Sequence, residues 1–443
     1  MEPTTIALIS IGVLVILILC GVNIAFSLSL VSFLGVFFIS GNFNRALGLL
    51  GTTAFGAVRS YTFCVVPLFM LMGSFMAKSG VAEDLFKFAN HFVKKIPAGL
   101  AIATIIGNTF FCALTGVSVA SASVFSKIAV PEMSKYNYKK SFAVGTVAGT
   151  SVLGMLLPPS LLFIVYGMVA EVSIGKLFMA GILPGLLLSA IFVIGVLVMG
   201  AIDPTTIGRT KTGGVTEQVG EQSSQSGFVL FIKTLPIITL ILLVIGGIWN
   251  GFFTPTEASA VGALGAFVLA ICKRNMNVKE FMDMTLEATI SCGNIMLLLI
   301  CAQTYSRMLA MSGLVSLIGN TVLSADIHYA IIVGIFLLIV LLLGCILDST
   351  SLLLLTVPLI KPIVVGFGFD LIWFGVVLVI TVEMGMLTPP FGMVIFAIKS
   401  ALGDEIALDA IFRGALPFLV MILAALLIII AFPPISTFIP SLM

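Results

Sequence analysis

The chain has 443 residues, 60% of them apolar and 9% charged, with a formal net charge of +2, whereas an ordinary soluble domain is roughly 25% charged. That balance excludes a soluble globular protein and describes an all-α polytopic membrane protein. It leaves no basic face for nucleic acid, and the seven cysteines, without a C-x-x-C spacing, read as small buried hydrophobes, so neither a structural disulfide nor a metal centre is expected.

The stretch 5–21 has no basic region before it and no small-residue cleavage site after it, so it reads as a retained first helix. Further apolar runs of crossing length, about 17 residues or more, lie near 23–40, 61–77, 177–201, 229–249, 256–272, 284–311 and 411–432. Between them, 98–131 and 329–365 are each long enough for two helices, but polar clusters divide them at Thr115-Gly116-Val117-Ser118 and Asp348-Ser349-Thr350-Ser351. The resulting legs are marginal for a crossing of about 30 Å, which favours re-entrant hairpins whose tips stop inside the membrane. Two last runs, 141–169 and 372–399, contain Gly154-Met155-Leu156-Leu157-Pro158-Pro159 and Gly385-Met386-Leu387-Thr388-Pro389-Pro390. Proline has no amide hydrogen, so a helix through either pair deprives the carbonyls of Gly154 and Met155, or Gly385 and Met386, of their partners. Such groups are tolerated in lipid only where protein or a water-filled cavity covers them. The expectation is about 10 transmembrane helices plus two hairpins and two broken helices.

The match between the breaks extends outward. Ser79-Gly80 pairs with Ser312-Gly313, Val130-Pro131 with Val357-Pro358, and Gly181-Ile182-Leu183-Pro184 with Gly414-Ala415-Leu416-Pro417. One repeat therefore covers 61–200 and the other 294–432, with a 1–60 segment before them and a polar linker 203–227 and helices in 228–293 between. Two whole crossings after the linker set the second repeat upside down relative to the first. Loop charge agrees: Lys78, Lys87, Lys94, Lys95, Lys135, Lys139, Lys140, Arg209, Lys211, Lys273, Arg274, Lys279, Lys399 and Arg413 fall on one side, leaving little beyond Lys176 and Lys361 on the other. By the positive-inside pattern the linker is cytoplasmic, while Phe252-Phe253-Thr254-Pro255 and the C-terminus face outside. Arg45 and Arg59 are placed on an interfacial helix at the outer surface.

Breaks in corresponding places of two repeats point to an ion and substrate site near the bilayer midplane. The freed carbonyls, a half-helix C-terminus with its partial negative charge, and hydroxyls of Thr115 and Ser118, or of Ser349, Thr350 and Ser351, can form an all-oxygen shell. Sodium fits best, because magnesium resists dehydration and calcium wants several carboxylates. The bland alternative is that the prolines only bend two helices and the hydroxyls pair with nearby carbonyls. Asp348 and Glu383 are the acids deepest in apolar sequence and are functional candidates on that ground, set against a tip cap for Asp348 and a plain ion pair or water-lined position for Glu383. Arg307 can pair with either acid, meet an anionic substrate, or snorkel. His91 and His328 have no partner at ligand spacing. No hydrolase, zincin or phosphate-loop motif is present, so neither an enzyme nor an ATP-burning chain is indicated.

The residues Gly251-Phe252-Phe253-Thr254-Pro255-Thr256-Glu257-Ala258, Leu156-Leu157-Pro158-Pro159-Ser160, Ile174-Gly175-Lys176-Leu177-Phe178 through Pro184-Gly185, and Leu387-Thr388-Pro389-Pro390-Phe391-Gly392 resemble the large membrane subunit of the tripartite ATP-independent periplasmic (TRAP) transporters along nearly the whole chain. The resemblance implies a sodium-coupled importer of an organic acid (dicarboxylate, sialic acid or sugar acid) in a bacterial inner membrane. A periplasmic substrate-binding protein would deliver the substrate, and a small membrane subunit of about four helices, expected as a separate polypeptide, would complete the complex. It further implies an elevator, in which hairpins and broken helices move against scaffold helices in 1–60 and 228–293. Carried over by position, the first sodium (Na+) site uses Thr115 and Ser118 with backbone oxygens of Gly154, Leu157 and Pro159. The second uses Asp348, Ser349 and Thr350 with Gly385, Thr388 and Pro390, and substrate is expected at the tips near Ser118, Ser121 and Ser351. Where the family commonly has serine in the first tip this chain has Val117, which offers only backbone oxygen. The alternative is a stand-alone sodium- or proton-coupled dicarboxylate symporter of the same general fold.

Overall fold

Three helices open the chain: α1 (Pro3–Leu19), α2 (Ile24–Ser40) and α3 (Phe43–Arg59). Asn23 and Asn42 start the latter two, their side-chain oxygens accepting the amides of Ala25 and of Asn44 and Arg45, as N-caps do. The computed structural model describes residues 2–208, 227–274, 276–314, 317 and 329–443. Most of the 203–227 linker, with Arg209 and Lys211, lies outside the described residues, as does His328. Among the described residues all regular structure is helical, apart from one antiparallel bridge between Tyr138 and Ile207.

After α4 (Val65–Lys78) and α5 (Val81–Val93), α6 (Gly99–Thr115) and α7 (Ser118–Lys135) cover the stretch expected to form the first hairpin. Gly116 ends α6 in the left-handed region at φ +66° and Val117 is extended, so two residues make the turn. α8 (Lys140–Ser151) and the single turn α9 (Leu153–Leu156) lead into the first break; α10 (Leu161–Ala170) leaves it, capped by the Ser160 hydroxyl, which accepts the Phe163 amide at 3.2 Å. Then follow α11 (Ile174–Ile202), α12 (Gly227–Trp249), α13 (Pro255–Arg274) and α14 (Val278–Ser312). The second hairpin is α15 (Tyr329–Gly344) and α16 (Ser349–Gly366). α17 (Leu371–Gly385) and α18 (Met393–Leu402) flank the second break, and α19 (Leu408–Ala431) and α20 (Pro434–Ser441) end the chain.

Eight helical segments of the described residues are long and apolar enough to cross a bilayer, and five shorter apolar helices accompany them. The protein is thus an all-α, multi-spanning membrane protein. One of the eight is Ser349–Gly366, the second leg of an expected hairpin, so length alone does not separate a leg from a crossing. Burial does order the helices: the most apolar window of Lys140–Ala170 is 89% buried against 28% for Gly227–Trp249, which puts the first broken helix at the centre and α12 on the periphery. The exposed Phe228, Phe231, Leu235 and Leu242 of α12 suit a lipid environment.

The central packing is reciprocal. α7 lies on α18 while α16 lies on α10; α8 lies on α19 while α17 lies on α11. Internal prolines mark the same correspondence, Pro131 in α7 and Pro358 in α16, Pro184 in α11 and Pro417 in α19. Around this centre α13 packs on α4, α14 on α2, and α12 on α5 and α13. At the polar ends, Lys139 meets Asp203 at 2.7 Å and Lys273 pairs with Asp84. The Lys139 ammonium and the Thr205 hydroxyl hold the Asp203 carboxyl down at about 2, so this tie persists through the neutral range and is lost only as pH falls toward that value.

Candidate functional site

Each hairpin tip rests on a broken helix through glycine. A Cβ on Gly154 would lie 2.9 Å from the Ser118 amide nitrogen, and one on Gly116 would lie 2.4 Å from the Pro159 carbonyl oxygen. The Gly116 carbonyl accepts the Leu161 amide at 3.3 Å, joining tip to break directly. At the second break a Cβ on Gly385 would lie 2.9 Å from the Gly344 Cα. Only glycine permits backbones this close. The tips also reach across: the Ser118 hydroxyl donates to Glu383 Oε2 at 2.6 Å, and the Ser349 hydroxyl lies 3.6 Å from Met155 Sδ. Ser118 is therefore brought to Gly154, Gly116 beside Thr115 to Pro159, and Gly344, four residues before Asp348, to Gly385.

The freed-carbonyl expectation needs correction. The Ser160 hydroxyl donates to the Met155 carbonyl. The Gly385 carbonyl accepts the Thr388 amide at 3.0 Å, and that of Met386 accepts the Val394 amide at 3.3 Å. At these three carbonyls the lost helical bonds are replaced locally. A carbonyl keeps a second lone pair, so these oxygens can still face a cation. Asp348 is half-buried and caps α16, its Oδ2 accepting the Ser351 amide at 2.9 Å. Ser121 is buried and its hydroxyl donates to Asn108 Oδ1 at 2.5 Å.

Asn108 was not singled out in the sequence. It ties α6 to α7 through Ser121 and to α8 through Thr150, at 2.9 Å, and Ser151, at 3.4 Å. An asparagine inside an apolar run was the available signal, since such side chains join helices in membranes. Ser160, also missed, was visible as the residue following the proline pair.

Two hydroxyl protons at the site are returned to the residues' own helices. Thr115 Oγ1 donates to the Phe111 carbonyl at 3.2 Å and Thr388 Oγ1 to that of Met384 at 2.8 Å, while Ser118 and Ser160 donate as described. A hydroxyl that has given its proton to a neighbour presents lone pairs to its other side, an arrangement suited to a cation and not to an anion. Among the described residues no group of three or more His, Cys, Asp or Glu is placed to hold a metal ion, so the donor set here is hydroxyl and carbonyl oxygen. The two breaks differ in exposure: Leu157 to Ser160 are buried, whereas Pro389, Pro390 and Phe391 are exposed and Thr388 is half-buried.

Arg307 meets neither Asp348 nor Glu383 and joins no ion pair among the described residues. With Gln303 one turn before it, it lines a cavity of about 720 Å³ bounded by Ser60, Thr62, Glu171 and Thr254. Glu171 is itself paired with Lys361 at 2.9 Å, which leaves Arg307 as the cation of this cavity.

Comparison with known proteins gives a family match over residues 11–435, to the family described as tripartite ATP-independent periplasmic transporter, DctM component. The C4-dicarboxylate TRAP transporter large permease protein DctM of Pseudomonas aeruginosa is 33% identical over 385 residues, 86% of each chain. The sialic acid TRAP transporter large permease protein SiaM of Vibrio cholerae is 29% identical over 427 residues, 96% of each. Among solved structures the YdaH transporter of Alcanivorax borkumensis superposes with a TM-score of 0.63 at 14% identity, covering 88% of this chain and 89% of that one; the likeness concerns the fold.

Proposed function

This chain belongs to the DctM component family of the tripartite ATP-independent periplasmic transporters, and from that premise we propose that it is the sodium-coupled, substrate-translocating subunit of an organic-acid importer. It is a multi-pass inner-membrane transport protein and not an enzyme. Sodium enters the two tip sites, the first built from Thr115, Ser118, Gly154, Leu157 and Pro159 and the second from Asp348, Ser349, Thr350, Gly385, Thr388 and Pro390. The observation that carries this reading is that the Thr115 hydroxyl at the first tip and the Thr388 hydroxyl at the second break give their protons back to their own helices, which leaves each with oxygen lone pairs on its other side.

The reciprocal packing of α7 on α18 and α16 on α10 supports inverted repeats, 61–200 and 294–432, whose hairpins and broken helices move together as an elevator against scaffold helices that include those of 1–60 and 228–293. Substrate is held near Ser118, Ser121 and Ser351, and the Arg307 cavity offers an organic acid's carboxylate a cation that joins no ion pair among the described residues. A periplasmic binding protein delivers that acid, and a small membrane subunit of about four helices covers part of the exposed apolar surface. Relatives named for C4-dicarboxylates and for sialic acid are similar to this chain at 33% and 29% identity, so the particular acid is left to the binding protein's selection.

Uptake by proteoliposomes holding this chain and the small subunit is expected to require both an inward sodium gradient and the binding protein. Uptake of free acid by this chain alone would replace the reading with the stand-alone symporter. Within the second site, Thr388→Val removes a ligand oxygen at nearly constant volume and Asp348→Ala removes the nearest carboxylate. Each is expected to raise the sodium concentration for half-maximal uptake about tenfold, a loss of ~1.4 kcal/mol, with little loss of folded protein; an unshifted sodium curve in both variants refutes the second-site assignment.

A further inference from the structure

The centre of the molecule holds one charged group that neither sodium site uses. Glu383 lies on α17, two residues before Gly385, and is fully buried. Its Oε2 accepts the Ser118 hydroxyl at 2.6 Å across the boundary between the proposed repeats, while Oε1 has no hydrogen-bond partner among the described residues. No ion pair among the described residues includes it. A buried carboxylate oxygen left without a partner is costly and is available to a ligand. The same side chain touches Ser118, whose amide faces Gly154, so its bare oxygen stands beside the first hairpin tip.

We propose that Glu383 Oε1 is a direct ligand of the cation bound at the first tip, so that the first site is built by both repeats. This rests on the reading of that tip as a cation site. The tip otherwise offers only neutral oxygens, from Thr115, Ser118 and the backbone of Gly154, Leu157 and Pro159. One carboxylate neutralises one monovalent ion, whereas a divalent ion would leave a buried net charge, so the ligand class is a hard monovalent cation. The second site lacks an equivalent: 231 residues before Glu383 the chain has Val152, and its own acid, Asp348, is half-buried and engaged as a cap. The first cation therefore joins hairpin α6–α7 to α17 by a charge contact, and the two sites differ in how their ions are neutralised.

The test is sodium-dependent thermal stabilisation of the purified complex with its small subunit, at constant ionic strength with choline replacing sodium. Wild type is expected to show a saturable stabilisation. Glu383→Gln keeps the shape and the Ser118 contact but not the charge, and is expected to raise the half-saturating sodium concentration at least tenfold, with Glu383→Asp in between. A Gln variant with the wild-type midpoint overturns the proposal and makes Glu383 a neutral hydrogen-bonding group. If the Gln variant does not fold, the Asp variant decides: a raised midpoint supports direct ligation and an unchanged one overturns it. Wild type that ignores sodium altogether overturns the sodium-coupled reading itself, which separates that failure from this one.

Discussion

Gly116→Ala is expected to lower sodium-dependent uptake about a hundredfold while the chain still inserts and purifies. Two penalties meet at this residue. At φ +66° an alanine pays for left-handed backbone about 1–2 kcal/mol, and its Cβ would lie 2.4 Å from the Pro159 carbonyl oxygen, where the obstacle is backbone and no side chain can rotate away. Overpacking of this kind costs about 1–3 kcal/mol, and a total near 3 kcal/mol corresponds to about two powers of ten. The strain is relieved most cheaply by lifting the tip off the break, which separates Thr115 and Ser118 from Gly154 and Pro159 and breaks the Leu161–Gly116 hydrogen bond. Gly12→Ala is the control, because nothing lies within 4 Å of a Cβ there. Uptake by Gly116→Ala within a factor of three of Gly12→Ala would show that the tip does not close on the break as described.

What could be read from the sequence is what local covalent chemistry dictates. Proline's missing amide located both breaks, glycine and hydroxyl residues located both tips, and the structure turns α6 into α7 at Gly116 and starts α16 at the Asp348 cap. The partners across those features could not be read. Nothing local to Ser118 announces Glu383, 265 residues away, and nothing local to Asn108 announces Thr150 and Ser151. The carbonyl error has the same origin: counting i+4 donors shows that Met155 loses its helical partner, but only the folded path of the chain shows Ser160 turning back to replace it. The unequal exposure of the two breaks is also invisible to a repeat analysis, which treats Pro158-Pro159 and Pro389-Pro390 as equivalents.

Gly145→Ala is expected to destabilise the whole centre by about 3 kcal/mol, read as a loss of folded complex and an earlier thermal transition in detergent. α8 crosses α19 so closely that a Cβ on Gly145 would lie 2.0 Å from the Gly414 carbonyl oxygen, and one on Gly414 would lie 2.0 Å from that of Ser141. In a membrane the helices gain little from leaving lipid for one another, and dispersion between close backbones carries much of their attraction. Forcing the axes apart forfeits those contacts along the crossing, including the packing of the Phe418 ring against Gly149. Gly195→Ala separates this cause from a general intolerance of methyl groups near α19, since its Cβ would meet the Met421 side-chain end, Cε at 2.1 Å and Sδ at 2.3 Å, a flexible group that can move aside. If the two variants melt alike, the backbone approach of α8 and α19 is not what holds the centre of the molecule together. If Gly145→Ala alone collapses, the glycine crossing fixes α8, and with it the position at which α9 delivers Gly154 to the first hairpin tip.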